Sequence, residues 1–369
     1  MALFDRHPLL IRPVRAALRR TSQGAGDLDR RTSPRPAGHL LRPVLLILCL
    51  LPLQGCGLIL DAVELVYPLT TSQLDGICRR GQVQVGMAVE PFRPFVFPAV
   101  WTDEGARVTG LDAELVRAVS EALAAHCGIP VEPVLHLVRF RDLFLLLNEG
   151  QLDFFVSAVD AGVPAPERSG FAYSTPYFPD GGISGITKQP ELVDRIRARL
   201  TDGGDSPSSA AVLERLTVAV QEGTAAHLYA GAVAKPKHLI VCDSLPAAFE
   251  YDGTAPIDVI LGSQPVLEFM IRTMRHEWRM LTREAGRPLM FTQAGYAVVM
   301  AEESYRLRWL MNDVIFRLGE TGRLQRMRHR WLEESYAYPR RASTEGLPFD
   351  VNKMPAHYAQ GTCRESSPH

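Results

Sequence analysis

Thr109-Gly110-Leu111-Asp112-Ala113-Glu114-Leu115 is the stretch on which the fold turns. Gly110-Leu111-Asp112 opens an amphipathic helix in which Leu111, Leu115, Val119 and Leu123 recur at helical spacing. Glu114, Arg117 and Glu121 fall elsewhere on the cylinder, and Gly128 stops it. Upstream, Gly81 starts an alternating strand with Val83, Val85 and Met87 on one face. The strand runs into the Pro-rich turn Glu90-Pro91-Phe92-Arg93-Pro94-Phe95. Strand, rigid turn and helix in this order describe a layered α/β unit.

The alternation continues downstream. Val131 to Leu137 reads as a strand, Phe140 to Asn148 as a short helix, and Leu152 to Val156 as a buried strand. After Tyr173-Ser174-Thr175-Pro176-Tyr177, the pair Gly181-Gly182 and the segment Ile183 to Ile186 suit a crossing strand or hinge. A second α/β series follows: the strand Leu216 to Val220, the break Gly223-Thr224, the helix-forming Ala225 to Ala232, the strand Ile257 to Ile260 and the helix Val266 to Arg275. Thr201 to Ser209 has no apolar period and reads as a surface loop. Tyr296 to Met300 is strand-like, and Arg306 to Leu318 is a helix with a broad apolar stripe that Gly319 and Gly322 punctuate.

A chain of 369 residues, 46% hydrophobic, has enough apolar mass for about two packed domains. Lys plus Arg number 40 against 41 Asp plus Glu. That balance creates no field for nucleic acid, so any partner is chosen by a local site. The run Val44 to Leu53 follows a basic region and is too short to span a bilayer. It reads as the core of a signal segment, residues 1–55, with a long basic extension before it. Leu53-Gln54-Gly55-Cys56 looks like a bacterial lipoprotein processing box, with Cys56 lipidated and Gln54 an unusual occupant. Cys78, Cys127, Cys242 and Cys363 are scattered without the short pairings of metal or redox motifs, and the expectation is packed or free thiols with no disulfide.

The ordered series Leu74-Asp75-Gly76-Ile77, Gly81, Val85-Gly86, Pro94-Phe95, Thr109 to Leu115, Gly150-Gln151-Leu152-Asp153, Pro166-Glu167-Arg168 and Ser174-Thr175-Pro176-Tyr177 resembles the bacterial extracellular solute-binding proteins, family 3, the polar amino-acid type. Gln221-Glu222-Gly223-Thr224, Ile257-Asp258-Val259-Ile260, Tyr296-Ala297-Val298, Asn312, Gly322-Arg323-Leu324 and Trp331 continue it in order. The resemblance implies an α/β fold of the periplasmic-binding-protein type II class: two lobes joined by two crossing strands, with a ligand cleft between them. On that basis residues 56–78 are the lipidated Cys and a linker, 79–182 with 292–335 lobe 1, 183–291 lobe 2, and 336–369 a polar tail. The implied protein is a monomer, anchored by lipid to an inner or outer membrane, that delivers a small polar solute to an ABC permease in the inner membrane.

The resemblance also implies site residues. Phe92 and Phe140 match the aromatic pair that sandwiches the ligand; Arg168 matches the Arg that pairs with its carboxylate, and Thr224 lies in the Gly-Thr turn that meets the same carboxylate. The chain departs from the pattern at two places. Asp160 falls where a Ser commonly bonds the ligand, and Ser263 falls where an Asp usually meets the α-ammonium. An ammonium buried without a countercharge is costly, so a standard amino acid needs Glu90 or Asp160 as a replacement partner. Three ligands stay open: an amino acid held by relocated acids, a carboxylate without the amine, or an unrelated solute. No nucleophile elbow, phosphate-cradling Gly loop or HExxH is present, so neither an enzyme nor a cofactor is expected. The rival function is a sensing or accessory binding module without a transport role.

Overall fold

The computed structural model describes residues 72–90, 92–162, 168–201, 209–253, 255–283, 286–334, 346–353 and 361–366. The signal segment and Cys56, with its expected lipidation, lie outside the described residues.

Helix α1 (Gln73–Arg80) starts from a reciprocal capping box between Ser72 and Asp75 and ends at Gly81 in the left-handed region, φ 64°. The sequence reading placed this segment in a linker; instead the helix buries Leu74 and Ile77, and its backbone is fixed at both ends. Strand β1 (Gln82–Ala88) follows, and β2 (Phe97–Thr102) and β3 (Gly105–Thr109) form a small hairpin before α2 (Leu111–Cys127). Gly110 caps α2 at φ 124°, and a Cβ there would sit 2.1 Å from the Phe95 carbonyl oxygen. Only glycine fits that approach.

The first sheet has the order β4-β1-β5-β12-β6, with β4 (Glu132–Val138), β5 (Phe154–Asp160), β6 (Phe171–Tyr173) and β12 (Tyr296–Ala301). Strands β4, β1 and β5 are parallel, joined through α2 and α3 (Phe140–Asn148), whereas β12 lies antiparallel on β5 and β6. The second sheet has the order β11-β7-β10-β8-β9-β14. Its strands are β7 (Ile183–Thr187), β8 (Thr217–Gln221), β9 (His238–Cys242), β10 (Val259–Ser263), β11 (Arg279–Met280) and β14 (Cys363–Ser366). Helices α4 (Pro190–Thr201), α5 (Ala225–Tyr229), α6 (Leu245–Phe249) and α7 (Gln264–Thr273) cover it. Val218 and Val220 of β8 enter one apolar core and Ala219 the other, as expected of a parallel strand buried on both faces. Helices α8 (Tyr305–Glu320) and α9 (Arg323–Leu332) return to pack on α2 in lobe 1.

Two segments cross between the lobes side by side. Tyr296 N–H donates to Phe178 O at 2.8 Å and Phe291 N–H to Ile183 O at 2.8 Å. Between them Gly182, at φ 135°, brings its α-carbon so close to the Thr292 carbonyl that a Cβ would lie 2.2 Å from the oxygen. The pair Gly181-Gly182 thus sits at the crossing, where the sequence reading put a hinge.

Two expectations are corrected. Disulfides join Cys78 to Cys127 and Cys242 to Cys363, across 49 and 121 residues of sequence. The pairs are made by packing of α1 against α2 and by strand pairing of β14 with β9, which no local spacing of cysteines records. The tail from 336 is likewise more than a polar extension: β13 (Leu347–Pro348) pairs with β3, and β14 extends the second sheet.

Candidate functional site

The parallel strands of both sheets deliver their carboxyl ends to one cavity, the position where open α/β sheets ordinarily bind ligands. It is partly open, and the empty space within its outline, open solvent at the mouth included, is about 440 Å³. Lobe 1 contributes Phe92, Phe140, Ala158, Asp160 and Arg168 to its wall; lobe 2 contributes Gln221, Thr224, Leu245, Leu261 and Ser263. Gly182 and Tyr296, from the crossing segments, close the side between them.

Phe92 and Phe140 are buried and face each other, ring centroids 5.3 Å apart with a 31° tilt. The Pro-rich loop after β1 carries the first, and the start of α3 the second. Asp160 ends β5 and is 6% exposed; its Oδ1 accepts from Gly162 N–H at 2.9 Å. Burial raises the pKa of Asp160, and the nearby Arg168 opposes that rise. Arg168, 7% exposed, donates from Nη1 to the Asp160 carbonyl at 2.8 Å, and its guanidinium lies over the Phe144 ring at 5.2 Å. Arg168 thus lies on the cavity wall. Among the described residues of the wall, Asp160 and Arg168 supply one acid and one base, both from lobe 1.

Lobe 2 presents no carboxylate among the described residues of that wall. Ser263 Oγ pairs with the buried Tyr296 Oη at 2.5 Å, so the hydroxyl links lobe 2 to a crossing segment. Thr224 caps α5: its hydroxyl donates to Gln221 O at 2.7 Å and accepts from His227 N–H at 3.3 Å. Thr224 is thus a helix cap at a position that also lines the cavity. Glu90 is off the wall; its Oε2 accepts from Phe140 N–H at 3.1 Å, supporting the aromatic residue from behind.

Two features escaped the sequence reading. Gln221, 2% exposed, lines the cavity with its Nε2 lacking a hydrogen-bond partner among the described residues. Its place at the end of β8, just before the Gly-Thr turn, was the available signal. Ala158 adopts φ 48°, a left-handed conformation uncommon for alanine, while its N–H donates to the buried Asp112 at 3.0 Å. Such an outlier on a cavity wall costs about 1–3 kcal/mol and is held by its surroundings.

Charged pairs close the cleft edge. Arg139, just before α3, bonds Asp243 at 2.9 Å, and Arg141 pairs with Glu222; each joins lobe 1 to lobe 2.

Comparison with known proteins agrees with this architecture. Residues 85–334 match the model of the bacterial extracellular solute-binding proteins, family 3. The arginine-binding periplasmic protein of Mannheimia haemolytica is 23% identical over 259 residues, 70% of this chain and 95% of the relative. An amino acid ABC transporter substrate-binding protein from Streptococcus pneumoniae, solved bound to L-arginine, is 20% identical with a TM-score of 0.56, covering 71% of this chain and 96% of that one. An ancestral amino-acid-binding protein described as a precursor of cyclohexadienyl dehydratase is 22% identical with a TM-score of 0.52, covering 71% of this chain and all of its own. At these identities the structures establish the fold.

Proposed function

We propose a ligand and a mode of capture from one premise: this chain belongs to the bacterial extracellular solute-binding proteins, family 3. It is a solute-binding protein, and its solute is an amino acid of no net charge, held between the lobes for uptake through an ABC permease. The chain acts by binding, without turnover. The observation that carries this reading is the pairing of Asp160 and Arg168, both buried, on one wall of the cavity. Arg168 offers a guanidinium fork to a carboxylate, and Asp160 offers a countercharge to an ammonium. The acid that the resemblance expects from lobe 2 at Ser263 is thereby replaced from lobe 1.

Two of the three named relatives are described with arginine, but a second cationic group would need a second acid in the wall. Glu90, the other acid considered, is turned to the Phe140 backbone. A buried, unpaired charge is costly, so a zwitterion with a neutral side chain suits this cavity better. Phe92 and Phe140 offer that side chain apolar contact, and Gln221 Nε2 a hydrogen bond. Lipid attachment at Cys56 would keep the protein on the membrane beside its permease.

A thermal-shift screen tests this with amino acids, their deaminated and decarboxylated analogues, sugars and organic acids. A solute at 100 times its Kd stabilises the native state by about 2.7 kcal/mol. The expected result is a rise in Tm of several degrees with a neutral amino acid, lost in Arg168→Ala. Asp160→Asn should abolish the preference for the amine over the deaminated analogue. A response to deaminated acids alone would reject the ammonium site. The second reading, an accessory module without uptake, draws on Ser263 bonding Tyr296 in place of a ligand acid. No shift from any compound, in protein that melts cooperatively, would favour it.

A further inference from the structure

At the cleft edge two arginines of lobe 1 meet two acids of lobe 2, and both acids are also held from within lobe 2. Glu222 directly follows β8, and Asp243 directly follows β9. Since β8 and β9 run parallel with Gln221 opposite Cys242, the two acids leave neighbouring strand ends side by side. Glu222 N–H donates to Cys242 O at 2.8 Å, which anchors the main chain there. Main-chain anchoring alone leaves a side chain several staggered rotamers, and only some of them point a carboxylate across the cleft.

The second grip comes from β14, beyond residue 334, where the family match ends. This strand pairs antiparallel with β9, Cys363 opposite Cys242 and Arg364 opposite Val241, and the disulfide locks that register. Thr362 is thereby set against Asp243. Asp243 N–H donates to Thr362 O at 2.9 Å, and Asp243 Oδ2 accepts from Thr362 N–H at 3.2 Å and Thr362 Oγ1 at 3.0 Å. The same oxygen meets Arg139 of lobe 1 at 2.9 Å. Glu222 divides its oxygens, Oε1 to Arg364 of β14 and Oε2 to Arg141 of lobe 1. A carboxylate bonded through one oxygen presents the other in a fixed direction, here toward lobe 1. Partial burial opposes the charge on each acid, yet the bonds from Arg364 and Arg141 at Glu222, and from Arg139 and Thr362 at Asp243, hold both pKa values below the ordinary ones.

Covering the open edge of β9 would need only the main-chain ladder. Thr362 and Arg364 go further, since each bonds through its side chain one of the two acids that receive a lobe 1 arginine. The two contacts form one cluster, with Arg141 also 3.9 Å from Asp243 Oδ1. Ordering rotamer-rich side chains as two surfaces meet weakens the association, and side chains ordered in advance remove that cost.

We infer that Thr362 and Arg364 are positioning residues for lobe closure: from β14 they fix Asp243 and Glu222 in the orientation that receives Arg139 and Arg141. The Cys242–Cys363 disulfide holds the strand that carries them, so loss of the disulfide loosens the two acids and weakens closure. This rests on capture by closure of two lobes, and not on which solute is captured.

The test is single-molecule energy transfer in the full chain without solute, with fluorophores on keto-bearing unnatural amino acids at the exposed Leu145 of α3 and Val233 just after α5. These two elements start on opposite walls of the cleft. Thr362→Ala with Arg364→Ala is expected to lower the ratio of closed to open molecules by roughly 3-fold to 10-fold. Arg364→Lys, which keeps the charge without the fork, is expected to lower it less than Arg364→Ala. With Arg139→Ala and Arg141→Ala already in place, the Thr362 and Arg364 substitutions are expected to change nothing, because no lobe 1 arginine is left to receive. Cys242→Ser with Cys363→Ser is expected to lower the ratio as well, while Cys78→Ser with Cys127→Ser keeps it. If the first cysteine variant does not fold, the Thr362 and Arg364 substitutions decide, since they leave the ladder and the disulfide in place. Parental or greater closure in the folded Thr362/Arg364 variant overturns the inference, and so does an equal loss in the background without the lobe 1 arginines, which would make β14 a structural edge alone. A parent with no closed molecules would overturn it at its premise, closure through these pairs; the solute reading is judged apart, by the thermal screen.

Discussion

Glu90 is 4% exposed at the end of β1, and burial pushes its pKa from an ordinary 4.5 to about 7. Asp112, fully buried in the first turn of α2, is pushed from 3.8 to about 7 by the same cause. In both cases the folded chain holds the proton more tightly than the unfolded chain does. The stability each contributes is therefore fully present below the unfolded value and is lost as pH rises to about 7, by up to roughly 3 kcal/mol for Glu90 and roughly 4 kcal/mol for Asp112. Glu90→Gln is expected to flatten the fall in urea midpoint between pH 4.5 and 7.5, and a variant with the parental slope would show that Glu90 does not titrate there. The sequence carried the identity of Phe92, Phe140, Asp160, Arg168, Thr224 and Ser263 as candidates, and the fold gathers all six around one cavity. Glu90, expected as a replacement partner for an ammonium, is off the wall and accepts from Phe140 N–H, a contact across 50 residues of sequence that no local pattern records. Gln221 was passed over because an amide has no charge to betray a role; its buried Nε2, without a hydrogen-bond partner among the described residues, shows only in three dimensions.

The start of α2 shows how one position can fix an element. Gly110 has φ 124° and no room for a Cβ against the Phe95 carbonyl, while Leu111 and Asp112 donate their N–H groups to Pro94 O and Phe95 O at 3.3 and 3.0 Å. The turn that carries Phe92 and the helix that supports β5 through Asp112 are thus joined at that residue. Gly110→Ala is expected to cost at least about 2 kcal/mol, from strain at positive φ together with the clash. Chemical denaturation measures it, and a loss below 0.5 kcal/mol would mean the turn relaxes freely. Elements of this kind were readable because their signals are local: periodic Leu and Val for α2, alternation for β1, Gly pairs for the crossing. Strands β13 and β14 were not, since each has four residues or fewer and exists only by pairing with a strand more than 100 residues earlier. The two disulfides follow the same rule. In the chain-entropy picture, closing loops of this length restricts the unfolded state by about 4–5 kcal/mol each, so the missed contacts are among the larger local contributions to stability.

Closure of the whole molecule depends on contacts that exist only when the lobes meet. The Arg139–Asp243 and Arg141–Glu222 pairs and the Ser263–Tyr296 hydroxyl bond all span the lobes or their crossing. Ligand bound between the lobes adds to this set, so loosening the pairs shifts the population toward the open form and weakens binding without touching the cavity wall. Glu222 and Asp243 are partly shielded, with side chains 18% and 13% exposed, which places each pair near the upper end of the surface range, about 1 kcal/mol. Glu222→Gln with Asp243→Asn should therefore raise the Kd of whichever solute the screen identifies by roughly 10-fold to 30-fold. The loss is expected in the rate of release, because open lobes let solute escape while the wall that meets it is unchanged. Since exposed ion pairs are screened by salt, the difference between parent and variant should shrink at 1 M NaCl. Stopped-flow release measured at low and high salt separates the outcomes. A slower association with unchanged release would instead assign these acids to steering the solute, and an effect indifferent to salt would point to a local packing fault in the Gly223 turn.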